Sequence, residues 1–329
     1  MPTPSTLLLH PHLWAASVVV LLALLGVVVG QVNGRLVHLF GPADPPGAPT
    51  PRGSLTPRAD RQVQPARDDA TAVPDTGTVP GAGEGVPDGS RLPSGADEGP
   101  PPPRCPHCRA ELRFLRWFPA VEARTFRRRG ACPHCEQVVR SHPAVVVVTA
   151  VLFGCVGLWA ALRPDWCPFG VLAVLWLTAV GVPLAVIDLR VMRLPDAVVL
   201  PAYPVAAVLI GAAVLLPPEG PDTGRAGDAL AGMVLVTVLY WLLWRVHSAG
   251  LGFGDVKLSG LTALYAGWAA GPLGALVAVF WAFAAFSLVG VVLMALRRLT
   301  RRDPFPLGPF MLAAALATVL AGGALFPQP

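Results

Sequence analysis

Eight apolar stretches, at 14–30, 144–162, 168–187, 197–216, 229–246, 259–271, 273–295 and 308–326, run through this chain with few charges inside them. Most approach the ~20 residues that a helix needs to cross ~30 Å of hydrocarbon. The pattern predicts an all-α polytopic membrane protein of about eight transmembrane helices. The stretch at 259–271 is short, which leaves seven as the alternative count. Composition agrees: 53% of the 329 residues are hydrophobic and only 14% charged, far from a soluble globular average.

Lys and Arg near span ends are retained on the cytoplasmic side. Arg127, Arg128, Arg129 and Arg140 precede the second stretch, and Arg190 and Arg193 follow the third. Arg245 and Lys257 flank the fifth and sixth, while Arg297, Arg298, Arg301 and Arg302 separate the last two. The alternate loops carry little beyond Arg163 and Arg225. One topology satisfies every loop, with both termini outside. The first stretch is expected to be a span rather than a cleaved signal, because no Lys or Arg leads it and no A-x-A-like site follows it. These arginines account for much of the net charge of +5, so no nucleic-acid partner is called for.

Four parts are expected. Residues 1–40 form the first helix and its flank. Residues 41–103, rich in Pro, Gly, Asp and Arg, bury too little apolar surface to offset chain entropy and predict a disordered cytoplasmic linker. Residues 104–142 hold Cys105, Cys108, Cys132 and Cys135 as two C-x-x-C knuckles, the donor set of a tetrahedral structural zinc site in a small cytoplasmic zinc-ribbon-like insertion. Disulfides compete with this reading, but a reducing compartment disfavours them. His107 and His134 are expected to stand aside, and Cys155 and Cys167 to be packing residues. Residues 143–329 form the remaining bundle.

Ionisable groups at a membrane are costly and point to function by default. Asp165, Glu219, Asp222, Asp228 and Asp303 are accounted for as solvated or paired. Three acids remain on the cytoplasmic side. Asp196, after Leu-Pro and before an apolar run, predicts a structural helix cap. Asp188 ends the third stretch, where the helix dipole opposes an anion, so capping does not explain it; an ion pair with Arg190 or Arg193 competes with catalysis. Asp255 lies in "GLGFGDVKLSG", where Gly250, Gly252 and Gly254 allow positive φ and close backbone approach. An extended peptide docked at Gly252 and Gly254 would lie beside Asp255. Two neighbouring carboxylates share a proton, so one takes a proton from water while the other donates to a scissile carbonyl.

At these residues the sequence resembles the prepilin peptidases, the type IV leader peptidase family of GxGD-type membrane aspartic proteases. "IDLRVMRLPD" resembles its first-aspartate motif, "GLGFGDVKL" its GxGD motif, "FPLGPFML" the segment before its last span, and the CPHC pair its cytoplasmic zinc loop. The resemblance implies catalysis by Asp188 and Asp255 and a structural or leader-proximal charge at Lys257. It implies pilin-like precursors as substrates, cut between a short basic leader and an apolar helix at the cytoplasmic face of a bacterial inner membrane. Many members also methylate the new N-terminus with S-adenosylmethionine. "GQVNGRLVHLF" matches the amino-terminal motif only loosely, no glutamate follows the "RSHP" element, and Ala131 stands where a lysine is common. Those departures argue against the methyl transfer here. Two other classes compete: a cation- or proton-coupled transporter, which would place acids at span midpoints, and a noncatalytic membrane scaffold recruiting a partner through the cysteine loop.

Overall fold

The computed structural model describes residues 11–41, 102–163, 167–217, 220–247, 250–300 and 303–322. Most of the expected linker, with Asp165 and Glu219, lies outside them. The described residues form helices α1 (Pro11–Leu36), α2 (Arg124–Arg129), α3 (Pro143–Ala161), α4 (Pro168–Val191), α5 (Asp196–Leu215), α6 (Thr223–Val246), α7 (Phe253–Ala295) and α8 (Gly308–Ala321). Six of these are long and apolar enough to cross a membrane, and α8 is a shorter apolar helix. Helices suit that solvent because each satisfies its own backbone.

The expected count of about eight is met through α7. At Gly271 the backbone takes φ 72° and ψ 178°, and Pro272 follows, so two helices meet end to end. Gly232 of α6 lies against both: a Cβ there would meet Gly267 Cα at 3.0 Å, the Ala263 oxygen at 3.2 Å and Ala275 Cβ at 3.3 Å. Residues on either side of Gly271 therefore converge on one point of α6, and α7 is a hairpin. The short stretch at 259–271 becomes a full helix because it starts earlier, at Phe253.

α4 is the central helix. Its span window is 78% buried, against 11% for α1, whose outer face presents Leu21, Leu24 and Val28 to the surroundings. α1 packs on α3 at backbone distance, since a Cβ on Gly26 or Gly30 would fall 2.8 Å from the Cα of Ala150 or Val146. Small residues at that spacing let apolar helices meet closely. α4 carries Pro183, which has no N–H to give the Ala179 carbonyl one turn back. Asn33 of α1 donates its Nδ2 to that carbonyl at 2.7 Å. A polar side chain from the outermost helix thus repairs the break in the central one. Cys155 is exposed on α3, which corrects its expected role in packing.

Residues 104–142 form a small loop-rich unit with isolated antiparallel bridges at Arg104–Glu111, Phe114–Val121 and Ala131–Val138. The Arg104 amide donates to the Leu39 oxygen, and Phe118 sits with its ring 5.3 Å from that of Trp176, fastening the unit to the ends of α1 and to α4.

Candidate active site

Helix α4 ends just beyond Asp188. Met192 adopts the left-handed conformation (φ 53°), its amide returns to the Asp188 oxygen at 2.8 Å, and Pro195 precludes continuation. The reversed chain then starts α5 at Asp196, while α7 starts beside it at Phe253. Two turns and two helix starts thereby gather the sequence-predicted acids at one end of the bundle.

Asp188 is 4% exposed. Its Oδ2 accepts the Gly308 amide at 3.0 Å, the first N–H of α8. The dipole of α4 opposes an anion here, and the N-terminus of α8 supplies the opposite end of another dipole. The fit is tight, since a Cβ on Gly308 would fall 2.6 Å from that oxygen. Gly308 was not among the predicted site residues. Its signal was present as Gly-Pro at the start of an apolar run, but nothing local connects it with an acid 120 residues earlier.

Asp255 occupies the first turn of α7, half-buried, with its own amide donating to the Gly252 carbonyl at 3.0 Å. The start of α8 lies between α4 and α7, since a Cβ on Gly308 would meet Asp188 Oδ2 at 2.6 Å and Leu258 of α7 at 3.5 Å, so α4 and α7 carry the two carboxylates to the same end of the bundle.

The glycines act differently from expectation. None of Gly250, Gly252 and Gly254 has positive φ; Gly252 is extended at φ −71°, ψ 144°. Gly254 does admit close approach, but the neighbour is Leu194, which a Cβ would meet at 3.1 Å. The space expected for a substrate backbone at Gly254 is taken by the loop after α4. Gly252 is exposed and keeps its face open.

Asp196 also departs from its predicted role. Pro195 is the N-cap of α5 and no side-chain cap bond forms. Asp196 stands at the first helical position and instead accepts Lys257 Nζ on both oxygens, each at 2.7 Å. Tyr203 donates to the Lys257 carbonyl, so α5 grips α7 through three hydrogen bonds at a single residue. Lys257 also lies 5.1 Å over the Phe253 ring.

In the cysteine loop the four sulfurs of Cys105, Cys108, Cys132 and Cys135 lie within 4.8 Å of one another. Cys105–Cys135 and Cys108–Cys132 are 3.9 and 3.7 Å apart. Four thiolates each about 2.3 Å from one tetrahedral ion would sit about 3.8 Å apart, so the donor set fits zinc. Both knuckles share one hydrogen-bond pattern: Arg109 and Glu136, each at positive φ, return amides to Cys105 and Cys132. His134 contributes its amide to Cys132 Sγ, and neither histidine ring joins the cluster. Burial pushes the Cys105 thiol up to about 12, so a metal must displace protons to bind. All six cysteines are free of disulfides.

The profile of the type IV leader peptidase family matches residues 171–295, a range that holds both Asp188 and Asp255. A prepilin leader peptidase/N-methyltransferase of Aeromonas hydrophila is 32% identical over 244 residues, covering 70% of this chain and 77% of that relative. One of Aeromonas salmonicida is 30% identical over 67% of this chain and 72% of its own length, and one of Pseudomonas aeruginosa 26% over 66% and 71%. No solved structure matches the chain.

Proposed function

The chain belongs to the type IV leader peptidase family, and from that premise we propose that it removes the leader from pilin-like precursors, with Asp188 and Asp255 as the reacting pair. It is a membrane aspartic endopeptidase. One observation supports the pair above the rest: the acids come from different helices, at the end of α4 and the start of α7, and lie at one rim of the bundle rather than at span midpoints. A transporter reading asks for the opposite placement, and a scaffold has no use for a buried acid gripped by the start of α8.

In the proposed reaction the ionised carboxylate takes a proton from water as the oxygen attacks the scissile carbonyl, while its protonated partner donates to the carbonyl oxygen. The gem-diol collapses as the amine leaves with a proton. The Gly308 amide holds one Asp188 oxygen throughout, and the exposed Gly252 receives the extended backbone. Lys257, balanced by Asp196, sets the α5–α7 spacing.

Cys105, Cys108, Cys132 and Cys135 would hold one structural zinc, which clamps the loop and takes no part in the cleavage. The distribution of arginines supports a bacterial inner-membrane location with the site facing the cytoplasm. The apolar faces of α1, α3 and α7 meet lipid. The relatives' names include N-methyltransferase; the proposal for this chain stops at the peptidase, because Ala131 and the missing glutamate fall in the region tied to S-adenosylmethionine.

The test is direct. Asp188→Asn and Asp255→Asn are each expected to insert at wild-type levels and leave a pilin-like precursor uncut, read by N-terminal sequencing. A processed precursor from either variant refutes the pair.

A further inference from the structure

At the rim opposite the acids, α3, α5 and α8 end, α4 and α6 begin, and α7 reaches its turn at Gly271. A cavity of about 140 Å³ lies among these ends. One water needs only ~10–15 Å³, so the space suits a larger guest. Among the described residues, its polar lining side chains are Trp159, Arg163, Cys167, Arg225 and Trp268. Each offers an N–H or S–H, and none is a carboxylate, amide or hydroxyl. Trp159 Nε1 is buried with no hydrogen-bond partner. A buried donor left unpaired is costly and asks for an explanation.

The charges point the same way. Arginines collect at the cytoplasmic ends of the spans, and Arg163 and Arg225 depart from that pattern. Both line this one cavity. Asp222 stands 3.7 Å from Arg225, but both side chains are more than half exposed, so solvent screens the pair. No acidic side chain among the described residues pairs with Arg163. Its guanidinium lies 5.2 Å over the Trp159 ring and against Gly322 at the C-terminus of α8, where a cation is favoured. Those contacts hold a positive charge over the indole whose N–H is unpaired.

We propose that this cavity binds a phosphate group, with Arg163 and Arg225 supplying charge-assisted donors and Trp159 a neutral one. A phosphate presents several acceptor oxygens to donors arriving from different helices, and it carries the negative charge that the lining lacks. Two sources share that chemistry: a phospholipid headgroup and free inorganic phosphate. The site stands apart from the cleavage, since Asp188 lies at the far end of α4 and Gly308 at the far end of α8.

Titration of the purified, delipidated full chain, followed by native mass spectrometry, tests the site with phosphatidylglycerol and inorganic phosphate as separate probes. Arg225→Gln and Trp159→Phe are each expected to weaken binding by on the order of tenfold. Trp159→Phe decides the case, because it keeps an aromatic ring beneath Arg163 and removes only the N–H. Arg163→Gln is the harsher change, since it also strips the charge from the end of α8. A probe that binds the wild-type chain and is weakened in the variants supports the site; phosphatidylglycerol then marks a headgroup, and inorganic phosphate alone marks a free anion. A wild-type chain that binds neither probe, or variants that bind as tightly as wild type, overturn the proposal.

Discussion

At the scale of the residue, the site depends on small departures from regular structure, each with a partner that offsets it. Asp188 is a buried acid at the wrong end of its helix, tolerated because Gly308 brings the N-terminus of α8 to 3.0 Å. Gly308→Ala should therefore displace either α8 or the carboxylate, lowering kcat roughly tenfold to a hundredfold with the protein still inserted; single-turnover cleavage measures it. Lys257 and Asp196 form a two-oxygen pair whose side chains are 26% and 37% exposed, so screening limits its worth. A double-mutant cycle of Lys257→Met and Asp196→Asn is expected to give a coupling of about 1 kcal/mol in unfolding. No coupling would mean that the two bonds contribute nothing to α5–α7 docking. Where Asp222 does cap α6, accepting the Arg225 amide at 3.0 Å, it acts as the short acids at helix starts are expected to. Asp196, one position further in, serves a tertiary contact instead.

At the scale of the element, α4 and α7 each carry a proline, with different outcomes. Pro183 leaves one carbonyl without its helical donor, and Asn33 fills the gap, so α4 runs on to Asp188. Asn33→Leu should destabilise the protein by about 1–3 kcal/mol by stranding the Ala179 carbonyl, and Pro183→Ala in the same chain should recover most of it by restoring an N–H. Denaturation of the single and double variants in detergent decides the matter; absence of recovery would show that Asn33 acts elsewhere. Pro272 follows a glycine with positive φ, and there the helix does turn back, enclosing the Tyr240 ring. The cysteine loop is an element only through its sulfurs, having three isolated bridges and one six-residue helix. A chelator, or Cys105→Ser, should expose residues 104–142 to protease at rates well above those of the untreated protein. Because a metal must displace protons from the cysteines, its affinity should weaken as pH falls.

At the scale of the whole molecule, the α4 and α7 ends meet because the central helix and the hairpin deliver one acid each to the same rim. Cleavage needs one carboxylate protonated and the other ionised, so the rate should fall on both sides of an optimum, each limb belonging to the pair. Measuring kcat against pH in reconstituted vesicles tests this; a profile with one ionisation would break the sharing. Product mass spectrometry adds a second test, with the new N-terminus expected to lack the mass of a methyl group.

How much of this was legible in the sequence follows from the range of each interaction. Spans, the cysteine quartet and the two acids proposed to react are written locally, because hydrocarbon thickness, metal chemistry and the cost of charge at a membrane all act on a few consecutive residues. Four outcomes required the tertiary structure: the bond from Gly308 to Asp188, the pairing of Asp196 with Lys257, the repair of α4 by Asn33 and the closing of Leu194 over Gly254. Each joins residues that are far apart along the chain and that local rules treat separately. Their meeting is set by how closely small residues let apolar helices pack, which is a property of the assembled bundle.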